Sequence, residues 1–484
     1  MLELSTVSSG HTIALATTIP EFDVELIKRL NQLGPRYTSY PTADRFSTAF
    51  CLSDYQAAIE LVSKLPVLNP EKPANPLSLY IHVPFCASIC YYCACNKVIT
   101  KDRGKAAIYL DYLKREIAMQ AKLFSHQNYV EQLHFGGGTP TYLSDEQMDD
   151  LLATLRAQFH FANDDVGEYS IEVDPRTVSP ERIAVLRKQG FNRISLGIQD
   201  FDPIVQKSVN RIQPEAETLA VMQAARDCNF RSISVDLIYG LPKQTLQTIT
   251  ETLDKVILAN PDRIAIYNYA HMPHLFKPQR RIVEDELPDP ELKLQMLFLC
   301  IRKLSLAGYV YIGMDHFAKP SDDLCLAQKE GRLQRNFQGY STHAQAEMVS
   351  CGVSAISAVG PIYYQNEKTL DAYYARLDQG ELPMARGFSL SADDLLRRQV
   401  IEQLMCHFEL DFNALSAAHS IDFSAYFAGE LASLGDFIDN ALLTLTPTSL
   451  KVSLKGRLLI RNICMVFDHY LREKQEPLRY SKTI

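Results

Sequence analysis

The sequence predicts an α/β protein whose core is a partial (β/α)6 barrel. Six segments with the pattern of buried strands alternate with helical segments between residues 77 and 308. Such alternation is typical of a parallel sheet, and right-handed connections curl this kind of sheet toward a full or partial barrel. Because ligands bind at the carboxyl ends of barrel strands, we expect the functional residues at that edge.

The six strand segments are short and mostly apolar, and each ends in a turn or a polar residue. In chain order they are LSLYIHV (77–83), VEQLHFGGG (130–138), YSIEVDP (169–175), RISLGIQDF (193–201), SISVDLIYGLP (232–242) and DRIAIYNYAHM (262–272). Runs of this length that are rich in β-branched residues indicate strands buried in a sheet.

Apolar spacing and capping residues mark the helices. The helix after the first strand carries apolar residues at intervals of three and four, namely Leu110, Leu113, Ile117, Ala121 and Phe124. A capping box of Ser144 and Gln147 opens the next helix, and Ser179 and Gly190 bound the one after it. The last barrel helix is predicted at about residues 289–308.

We predict three parts: an N-terminal arm (1–60), a barrel with an extension (61–386) and a mostly helical C-terminal domain (387–484). In the arm, LGPRYTSYPTADRF (33–46) is interpreted as a loop and not a core element. In the last part, GRLLIRNICMVFDHYLREK (456–474) predicts one long helix after a short hairpin. This order is compatible with a DNA-binding winged helix or with a packing module, and the acidic charge favours the module.

The composition is close to the average for globular proteins, with 46% hydrophobic and 22% charged residues in 484. A net charge of −8 argues against a general nucleic-acid binder, because phosphate contacts need a basic face. The first twenty residues lack a signal-peptide pattern, and no segment approaches the roughly 20 apolar residues of a membrane span. We therefore expect a cytoplasmic protein without nucleic-acid or membrane partners.

The segment HVPFCASICYYCACNK (82–97) places Cys86, Cys90, Cys93 and Cys95 directly after the first strand. In a reducing compartment, grouped cysteines indicate metal or redox chemistry. Zinc sites usually use two cysteine pairs separated by about 12 to 20 residues, and no second pair of that kind follows. Three thiolates suit an iron–sulfur cluster with one iron open to another ligand, whereas Cys95 as a fourth ligand would close it. The spacing alone leaves both arrangements open.

Glycine or polar residues also mark the carboxyl ends of the other five strands. They are Gly136 to Thr139, Glu172 with Asp174, Gln199 with Asp200, Asp236, and His271. An ordinary polar loop group explains any one of them taken alone. Their common position at the strand ends predicts one shared site.

The CxxxCxxC spacing of Cys86, Cys90 and Cys93, followed after the second strand by GGGTP (136–140), resembles the radical S-adenosylmethionine (SAM) superfamily. The resemblance implies that the barrel is of the radical SAM type and that three cysteines hold a four-iron four-sulfur cluster. It also implies that SAM chelates the fourth iron and is cleaved to a 5′-deoxyadenosyl radical. Glycines suit a turn that brings its backbone close to SAM.

Within that superfamily, the chain from about residue 33 to its end resembles the family of oxygen-independent coproporphyrinogen III oxidases. Segments that carry the resemblance include GPRYTSYPTA, CYYCACNK, IEVDPR, DLIYGLPKQT, RNFQGYST and KGRLLIRNICMVFD. The resemblance implies oxidative decarboxylation of two propionates of coproporphyrinogen III to vinyl groups, giving protoporphyrinogen IX in haem synthesis. It further implies a flavodoxin or ferredoxin as electron donor and a monomeric enzyme.

Residue by residue, the resemblance implies that Cys86, Cys90 and Cys93 are the cluster ligands and that Tyr80 and Glu172 are catalytic. The residues that match positions lining two SAM sites are Tyr80, Tyr92 (through its backbone), Gly137, Gly138, Thr139, Glu172, Gln199, Arg211, Asp236, Ala270 and Ile356. An alternative for Glu172 and Asp236 is that they are buried carboxylates paired with Arg176 or Arg211. For Arg211 the alternative partner is an acid on a helix face.

Candidates for binding the four substrate carboxylates are basic or polar residues near the sixth strand and in the arm. They are Lys277, Arg280 and Arg281, then Arg36, Tyr37 and Tyr40, and then His271 and His316. Each also has an ordinary interpretation, as a solvated charge, a packing aromatic or an interior histidine.

Two other functions remain to be weighed, a haem-binding chaperone of the same superfamily and a non-catalytic iron–sulfur sensor. The chaperone lacks the fourth cysteine and the arm, whereas CACNK and RYTSYPTA are both present here. The sensor predicts a strongly basic helix and has no need of GGGTP, and this sequence fits neither expectation.

Overall fold

The structure is a computed structural model that describes residues 23–67, 72, 75–124, 129–164, 166–472 and 480–484. It is an α/β structure, as predicted, with one large sheet at its centre and a mainly helical part after residue 390. The first 22 residues of the predicted arm lie outside the described residues.

The strands are β1 (Leu77–Val83), β2 (Phe85–Cys86), β3 (Val98–Ile99), β4 (Tyr129–Gly137), β5 (His160–Phe161), β6 (Glu168–Val173), β7 (Arg193–Gln199), β8 (Ser232–Tyr239), β9 (Arg263–Asn268), β10 (Val310–Gly313), β11 (His316–Ala318), β12 (Gln334–Asn336), β13 (Gly339–Ser341), β14 (Glu347–Cys351), β15 (Ile356–Val359), β16 (Ile362–Asn366), β17 (Met384–Ser389), β18 (Glu409–Asp411), β19 (Leu443–Leu445) and β20 (Ser449–Val452). The helices are α1 (Val24–Leu30), α2 (Leu52–Ser63), α3 (Gly104–Leu123), α4 (Asp145–Gln158), α5 (Pro180–Lys188), α6 (Pro203–Ser208), α7 (Glu215–Asp227), α8 (Leu246–Ala259), α9 (Pro290–Leu306), α10 (Asp323–Lys329), α11 (Leu370–Asp378), α12 (Ala392–His407), α13 (Phe412–His419), α14 (Phe423–Tyr426), α15 (Ala428–Ala432), α16 (Gly435–Asp439), α17 (Ile460–Val466) and α18 (His469–Arg472).

The six predicted strands are neighbours in the order β1-β4-β6-β7-β8-β9, and all five pairs are parallel. The sheet also extends beyond them. On one side β14 pairs in parallel with β1 and leads to antiparallel β15, β16 and β17, and on the other side β11 and β10 follow β9. Among the described residues, β10 and β17 do not pair with each other, so the barrel is partial.

The two faces of the sheet differ because side chains alternate along each strand. In β1, Leu79 and Ile81 are buried in the main hydrophobic core, which they form with apolar residues of the covering helices. Tyr80, between them, lies on the opposite face and is only half-buried. We call this second face the inner face. Glu172 of β6 and Asp236 of β8 are also half-buried, and a polar site is therefore possible there.

Helix ends agree with the predicted capping residues. Ser144 accepts a hydrogen bond from the N–H of Gln147 and precedes α4, and Ser179 caps α5 in the same manner. Gly190 follows α5 at a φ of +106°, a conformation that favours glycine. The last barrel helix, α9, lies within the range predicted for it.

The arm segment 33–46 is a loop, as predicted, apart from one 3-10 turn, but the prediction that it lies outside the core is wrong. Tyr37 and Tyr40 are 4% and 2% exposed and belong to a second hydrophobic core with the C-terminal part. Their hydroxyls are satisfied there: Tyr37 donates to Asp468 at 2.9 Å, and Tyr40 accepts the N–H of His469 at 3.2 Å. These hydrogen bonds allow both rings to be buried.

The prediction of one long helix over 456–474 is also wrong. A 3-10 turn leads into α17, which ends at Val466, and a separate short helix, α18, follows. The break lies at Asp468, whose carboxylate accepts the N–H groups of Tyr470 and Leu471 as a new helix cap. Residues 473 and 474 lie outside the described residues. The predicted hairpin is present as β19 and β20, with β18 as a third strand.

Among the described residues, none of the helices has the length and apolar character needed to cross a membrane. The division of the chain at residues 60 and 386 stays a prediction.

Arg461 holds the arm to the C-terminal tail and yields a stability prediction. Its buried guanidinium donates to the carbonyl groups of Pro35 at 2.8 Å, Lys482 at 3.0 Å and Thr483 at 3.1 Å. We expect Arg461→Met to lower the free energy of unfolding by about 2–4 kcal/mol, because these oxygens lose a charged donor. Urea denaturation measures the change, and Arg115→Met, which removes an exposed ion pair, is the control. An equal effect of both variants would contradict the prediction.

Candidate functional site

The cysteine loop follows the carboxyl end of β1 and is held by backbone contacts. Its two ends pair as the short parallel strands β2 and β3. Within the loop, Cys93 N–H donates to the carbonyl of Cys90 at 3.3 Å. Lys97 Nζ donates to the carbonyls of Cys93 and Cys95 at 3.0 and 3.2 Å. The loop thus has a defined conformation.

Hydrogen-bond donors surround the thiols. Cys86 Sγ lies 3.3 Å from Thr139 Oγ1, and Cys90 Sγ accepts from Arg176 and Arg211 at 3.6 Å each. A hydrogen bond from Cys95, aided by the charge of Lys97, lowers the pKa of Cys93. Cys93 is therefore shifted toward the thiolate form, which is the form that binds metals, whereas burial raises the pKa of Cys86 to about 11.

The donor set fits an iron–sulfur cluster better than a single metal ion. Among the described residues, no group of three His, Cys, Asp or Glu side chains is arranged to hold one ion. Thiolates of a cluster bind different irons and need not converge on one point. The guanidinium groups at Cys90 also suit a cluster, whose thiolates carry negative charge.

The glycine segment after β4 packs directly against the start of the cysteine loop. Gly138 N–H donates to the carbonyl of Val83 at 2.8 Å, and a Cβ at Gly138 would lie 2.6 Å from the carbonyl oxygen of Pro84. Gly137 has a φ of +118°, and its N–H donates to Glu172 Oε2 at 3.2 Å. The backbone here can approach a ligand closely because side chains are absent.

A row of aromatic and acidic groups crosses the inner face between β1 and β6. The rings of Tyr80 and His134 are stacked with centroids 5.7 Å apart, and His134 Nε2 lies 3.3 Å from Glu172 Oε1. The Tyr80 hydroxyl is 3.1 Å from His82 Nδ1. Burial, and then the charge of Glu172, raises the pKa of Tyr80 well above its usual value. Tyr80 is therefore a neutral hydroxyl at physiological pH.

Asp236 lies on the same face, two strands beyond Glu172. Its Oδ2 accepts a hydrogen bond from Ser195 Oγ at 3.2 Å. Burial, and then the charge of Glu172, raises the pKa of Asp236 to about 7. Gln199 lies at a bulge between β7 and β8 and has a left-handed φ of +68°. This conformation turns the chain at the carboxyl end of β7.

Arg211 pairs with Asp174, the acid directly after β6 and one of the strand-end residues predicted to share a site. The Nη1 atom lies 3.3 Å from Asp174 Oδ2, and Nη2 donates to the carbonyl of Gly197 at 2.6 Å. Arg176 binds the same carboxylate at 2.6 Å. The alternative in which these arginines pair with Glu172 or Asp236 is not observed among the described residues. The DPR motif at 174–176 is the sequence signal for this contact.

Gln279 links the cysteine loop to the turn after β9. Its side-chain amide donates to the carbonyls of Tyr92 at 3.1 Å and Ala270 at 3.2 Å. Ile356 lies in β15, beyond the opposite end of the row of six strands. Its carbonyl accepts a hydrogen bond from the hydroxyl of Ser350, the residue of β14 that pairs with Tyr80 of β1. The predicted residues Tyr92 and Ala270 therefore lie near the β9 end of the inner face, and Ile356 lies near its β1 end.

Two cavities of about 460 and 870 Å³ adjoin this end of the sheet. Both are lined by Tyr239, Asn268 and Ala270, and both are bordered by residues of the arm and of the segment 480–484. In the first, Arg36 forms an ion pair with Asp315. Cavities of this size accommodate small-molecule ligands.

The predicted basic candidates differ in their surroundings. Lys277, Arg280 and Arg281 are exposed, and Arg281 lies 5.5 Å from the ring centre of Tyr91. His271 Nδ1 is 2.8 Å from the hydroxyl of Tyr269. Burial, and then the charge of Arg335, lowers the pKa of His316 to about 3, so this ring is neutral.

The fold and the cysteine loop define a radical SAM protein. Residues 80–256 match the model of the radical SAM superfamily, and residues 390–459 match that of the HemN C-terminal domain. Membership of the superfamily implies a four-iron four-sulfur cluster and SAM as cofactors.

Comparison with known proteins identifies the family. The chain is 49% identical over 463 residues to the oxygen-independent coproporphyrinogen III oxidase of Pseudomonas aeruginosa, with 96% of this chain and 99% of that protein covered. It is 46% identical over 476 residues to that of Synechocystis, with 97% and 100% covered. The solved structure of coproporphyrinogen III oxidase (HemN) from Escherichia coli matches with a TM-score of 0.87 and 45% identity, covering 93% of this chain and 99% of that one. The chain belongs to the oxygen-independent coproporphyrinogen III oxidases.

The close packing of Gly138 yields a prediction for SAM binding. We expect Gly138→Ala to weaken SAM binding about tenfold or more, because the added methyl group overlaps the Pro84 carbonyl and displaces the segment. Equilibrium dialysis with labelled SAM on the cluster-loaded protein measures the change. Gly429→Ala is the control, since a Cβ there meets no atom within 4 Å. Unchanged SAM binding in the Gly138 variant would show that the segment is not used.

Proposed function

We propose that this radical SAM coproporphyrinogen III oxidase converts two propionates of coproporphyrinogen III to vinyl groups in the oxygen-independent branch of haem synthesis. For each propionate, one hydrogen atom leaves the β-carbon, and carbon dioxide and one electron leave next, so that a carbon–carbon double bond forms. The product is protoporphyrinogen IX. The observation that carries the proposal is the position of the three-cysteine loop against the glycine segment 136–138, above an inner face that bears Glu172 and Asp236.

Cys86, Cys90 and Cys93 are assigned as the three cluster ligands. When bound, the cluster would supply the electron for reductive cleavage of SAM, the chemistry that provides a radical for removal of the propionate hydrogen. Thr139, Arg176 and Arg211 contribute by donating hydrogen bonds to the sulfur atoms of Cys86 and Cys90. Cys95 is exposed, and we assign it no ligand role.

Glu172 and Asp236 are assigned as acceptors for SAM. Both carboxylates lie on the inner face, and neither pairs with Arg176 or Arg211 among the described residues, which leaves them available to hydroxyl and ammonium groups. The backbone of Gly137 and Gly138 approaches the ligand. The remaining residues of two proposed SAM sites are Tyr80, Tyr92, Thr139, Gln199, Arg211, Ala270 and Ile356.

Tyr80 and Glu172 are the proposed catalytic residues. Tyr80 presents a neutral hydroxyl bound to His82 and stacks on His134, so it orients SAM and excludes water without changing its charge. Glu172 also accepts a hydrogen bond from the Gly137 N–H. This contact connects the proposed SAM acceptor to the glycine segment 136–138. Exclusion of water protects a radical intermediate from side reactions.

The proposal extends to partners and organisation. A one-electron carrier such as flavodoxin or ferredoxin is the proposed donor, and the proposed enzyme is a cytoplasmic monomer with an arm, a barrel and a C-terminal domain divided at residues 60 and 386. The proposed C-terminal domain is a packing module, because its residues form one hydrophobic core with Tyr37 and Tyr40 of the arm.

The decisive experiment is turnover under anaerobic conditions. Protein reconstituted with iron and sulfide should release carbon dioxide from coproporphyrinogen III when a reductant and SAM are present, with two molecules formed per product. Omission of SAM should abolish the release. Tight haem binding without release of carbon dioxide would instead support the chaperone function.

Replacement of Cys95 tests whether this residue is a cluster ligand or only a neighbour of the cluster. We expect Cys95→Ser to retain the iron content of the wild type, because three other thiols bind the cluster. We expect it to reduce turnover, because a shorter, more polar hydroxyl alters the hydrogen bond that Cys95 donates to Cys93. Iron analysis and the carbon dioxide assay measure the two effects. Cys90→Ser is the matched comparison and should lose iron. Loss of the cluster in Cys95→Ser would make Cys95 a ligand.

The raised pKa of Asp236 yields a pH dependence. A carboxyl group with a pKa of about 7 is protonated as the pH falls through 7, and the acceptor that SAM needs is then lost. We expect SAM to bind about tenfold more weakly at pH 6 than at pH 8, as the ionised fraction falls. Asp236→Asn should bind weakly at both values, and the exposed Asp227→Asn should behave as wild type. A flat pH profile for the wild type would exclude this role.

A further inference from the structure

Arg335, on β12, is buried, and two of its three guanidinium nitrogens lack a hydrogen-bond partner among the described residues. It is 8% exposed, and its Nε and Nη1 atoms are buried without a hydrogen-bond partner. Its guanidinium carbon lies 4.9 Å from the ring centre of Tyr340. A buried donor without a partner carries a desolvation cost, which a bound acceptor removes.

The other buried arginines of the described residues are all engaged. Arg193, Arg211 and Arg397 pair with carboxylates, and Arg461 donates to backbone carbonyls. No carboxylate lies within ion-pair distance of Arg335 in the described part of the chain. Among these five buried arginines of the described residues, Arg335 alone has neither a carboxylate nor a backbone carbonyl as a partner.

Arg335 lines a cavity of about 870 Å³ between the arm, α12 and the inner face of β14 and β15. Met348 and Ala358, which line the cavity, are paired across β14 and β15. Ala358 is two residues from Ile356 in β15, so both side chains lie on the same face of the sheet. Beyond Arg335, the neutral ring of His316 packs against Tyr340 and Tyr267. The cavity is thus a continuation of the inner face.

The acids that line this cavity are already bound to other groups. Glu347 accepts the N–H of Gly360 at 2.7 Å. Glu402 accepts the backbone N–H of Arg335 and a hydrogen bond from Gln334, and it lies near the charge of Arg398. Neither compensates the guanidinium of Arg335.

We propose that Arg335 binds a carboxylate of the tetrapyrrole substrate at the end of the inner face away from the cysteine loop. This inference rests on the proposed function, which supplies a substrate with four propionates. A guanidinium group forms strong paired hydrogen bonds with a carboxylate, and contact with the Tyr340 ring, 4.9 Å from the guanidinium carbon, supports the guanidinium at this position. One anchored propionate fixes the ring orientation and so selects which propionates approach the radical.

The test uses the cluster-loaded, full-length protein and a non-reacting probe, coproporphyrin III, the oxidised tetracarboxylate. Fluorescence quenching gives its Kd for wild type, Arg335→Gln, Arg335→Lys and the control Arg332→Gln. Arg332 lies three residues away and forms an exposed ion pair with Glu330. The tetramethyl ester of the probe, which lacks carboxylates, serves as a second ligand.

We expect Arg335→Gln to raise the Kd of the acid probe about tenfold or more, Arg335→Lys to raise it less, and Arg332→Gln to leave it unchanged. The ester should bind wild type and Arg335→Gln alike. Formation of 5′-deoxyadenosine without substrate should be unchanged in both Arg335 variants, because the residue acts on the substrate.

Wild-type binding of the acid probe with no loss in Arg335→Gln would overturn the inference alone. Failure of the wild type to bind the acid probe would count against the proposed function. A loss of SAM binding in place of probe binding would assign Arg335 to the cofactor. If Arg335→Gln does not fold, Arg335→Lys provides the test. The measured quantity is then the ratio of its affinities for the acid probe and for the ester. A ratio equal to that of the wild type would overturn the inference.

Discussion

The position of the cysteine loop depends on one buried carboxylate, that of Asp174. Burial alone would raise the pKa of Asp174, but Arg211 and Arg176 lower it below its usual value, so the group is ionised. The two guanidinium groups that it holds also donate to Cys90 Sγ, and Arg211 reaches the carbonyl of Gly197 in β7. A single network of charged groups therefore connects the end of β6, the strand β7 and the thiol of Cys90. Removal of one member leaves uncompensated buried charge, which is why such networks hold their geometry.

The same network explains how acidic groups with different tasks coexist at one edge of the sheet. Asp174 is neutralised by arginines and is structural, whereas Asp236 has a hydroxyl for a partner and a pKa near neutrality. Glu172 lies between them and binds a backbone N–H and His134. Asp174 and Asp236 therefore differ in charge state because their neighbours differ.

Periodic segments were predictable from sequence, and contacts between distant residues were not. The six barrel strands and the caps at Ser144 and Ser179 were found because each depends on local spacing or on one nearby hydrogen bond. The strands β14 to β17 were missed because they are short and pair mainly with each other or with β1, far away in sequence. For Tyr37 and Tyr40 the sequence left open whether they bind substrate or pack, and the packing interpretation could not be chosen for the same reason, since distant Asp468 and His469 satisfy their hydroxyls.

For the site, the sequence predicted which residue types lie at the strand ends and in what order. It did not predict which of these side chains pair with each other. The cysteines, the glycine segment and the strand-end acids stand out as motifs. That Arg211 binds Asp174 depends on a connection across three elements, and the motif at 174–176 shows only that an acid and a base are close. The unpartnered state of Arg335 is a property of all its surroundings, which no local pattern encodes.

The contact between Arg461 and the arm has a consequence for the order in which the protein is completed. The carbonyl groups of Gly34 and Pro35 bind a side chain that is 427 and 426 residues later in the chain. During synthesis, the barrel can form while its covering segment has no docking surface, because that surface has not yet been translated. The arm can therefore take its place beside the inner face only after Arg461 has been translated.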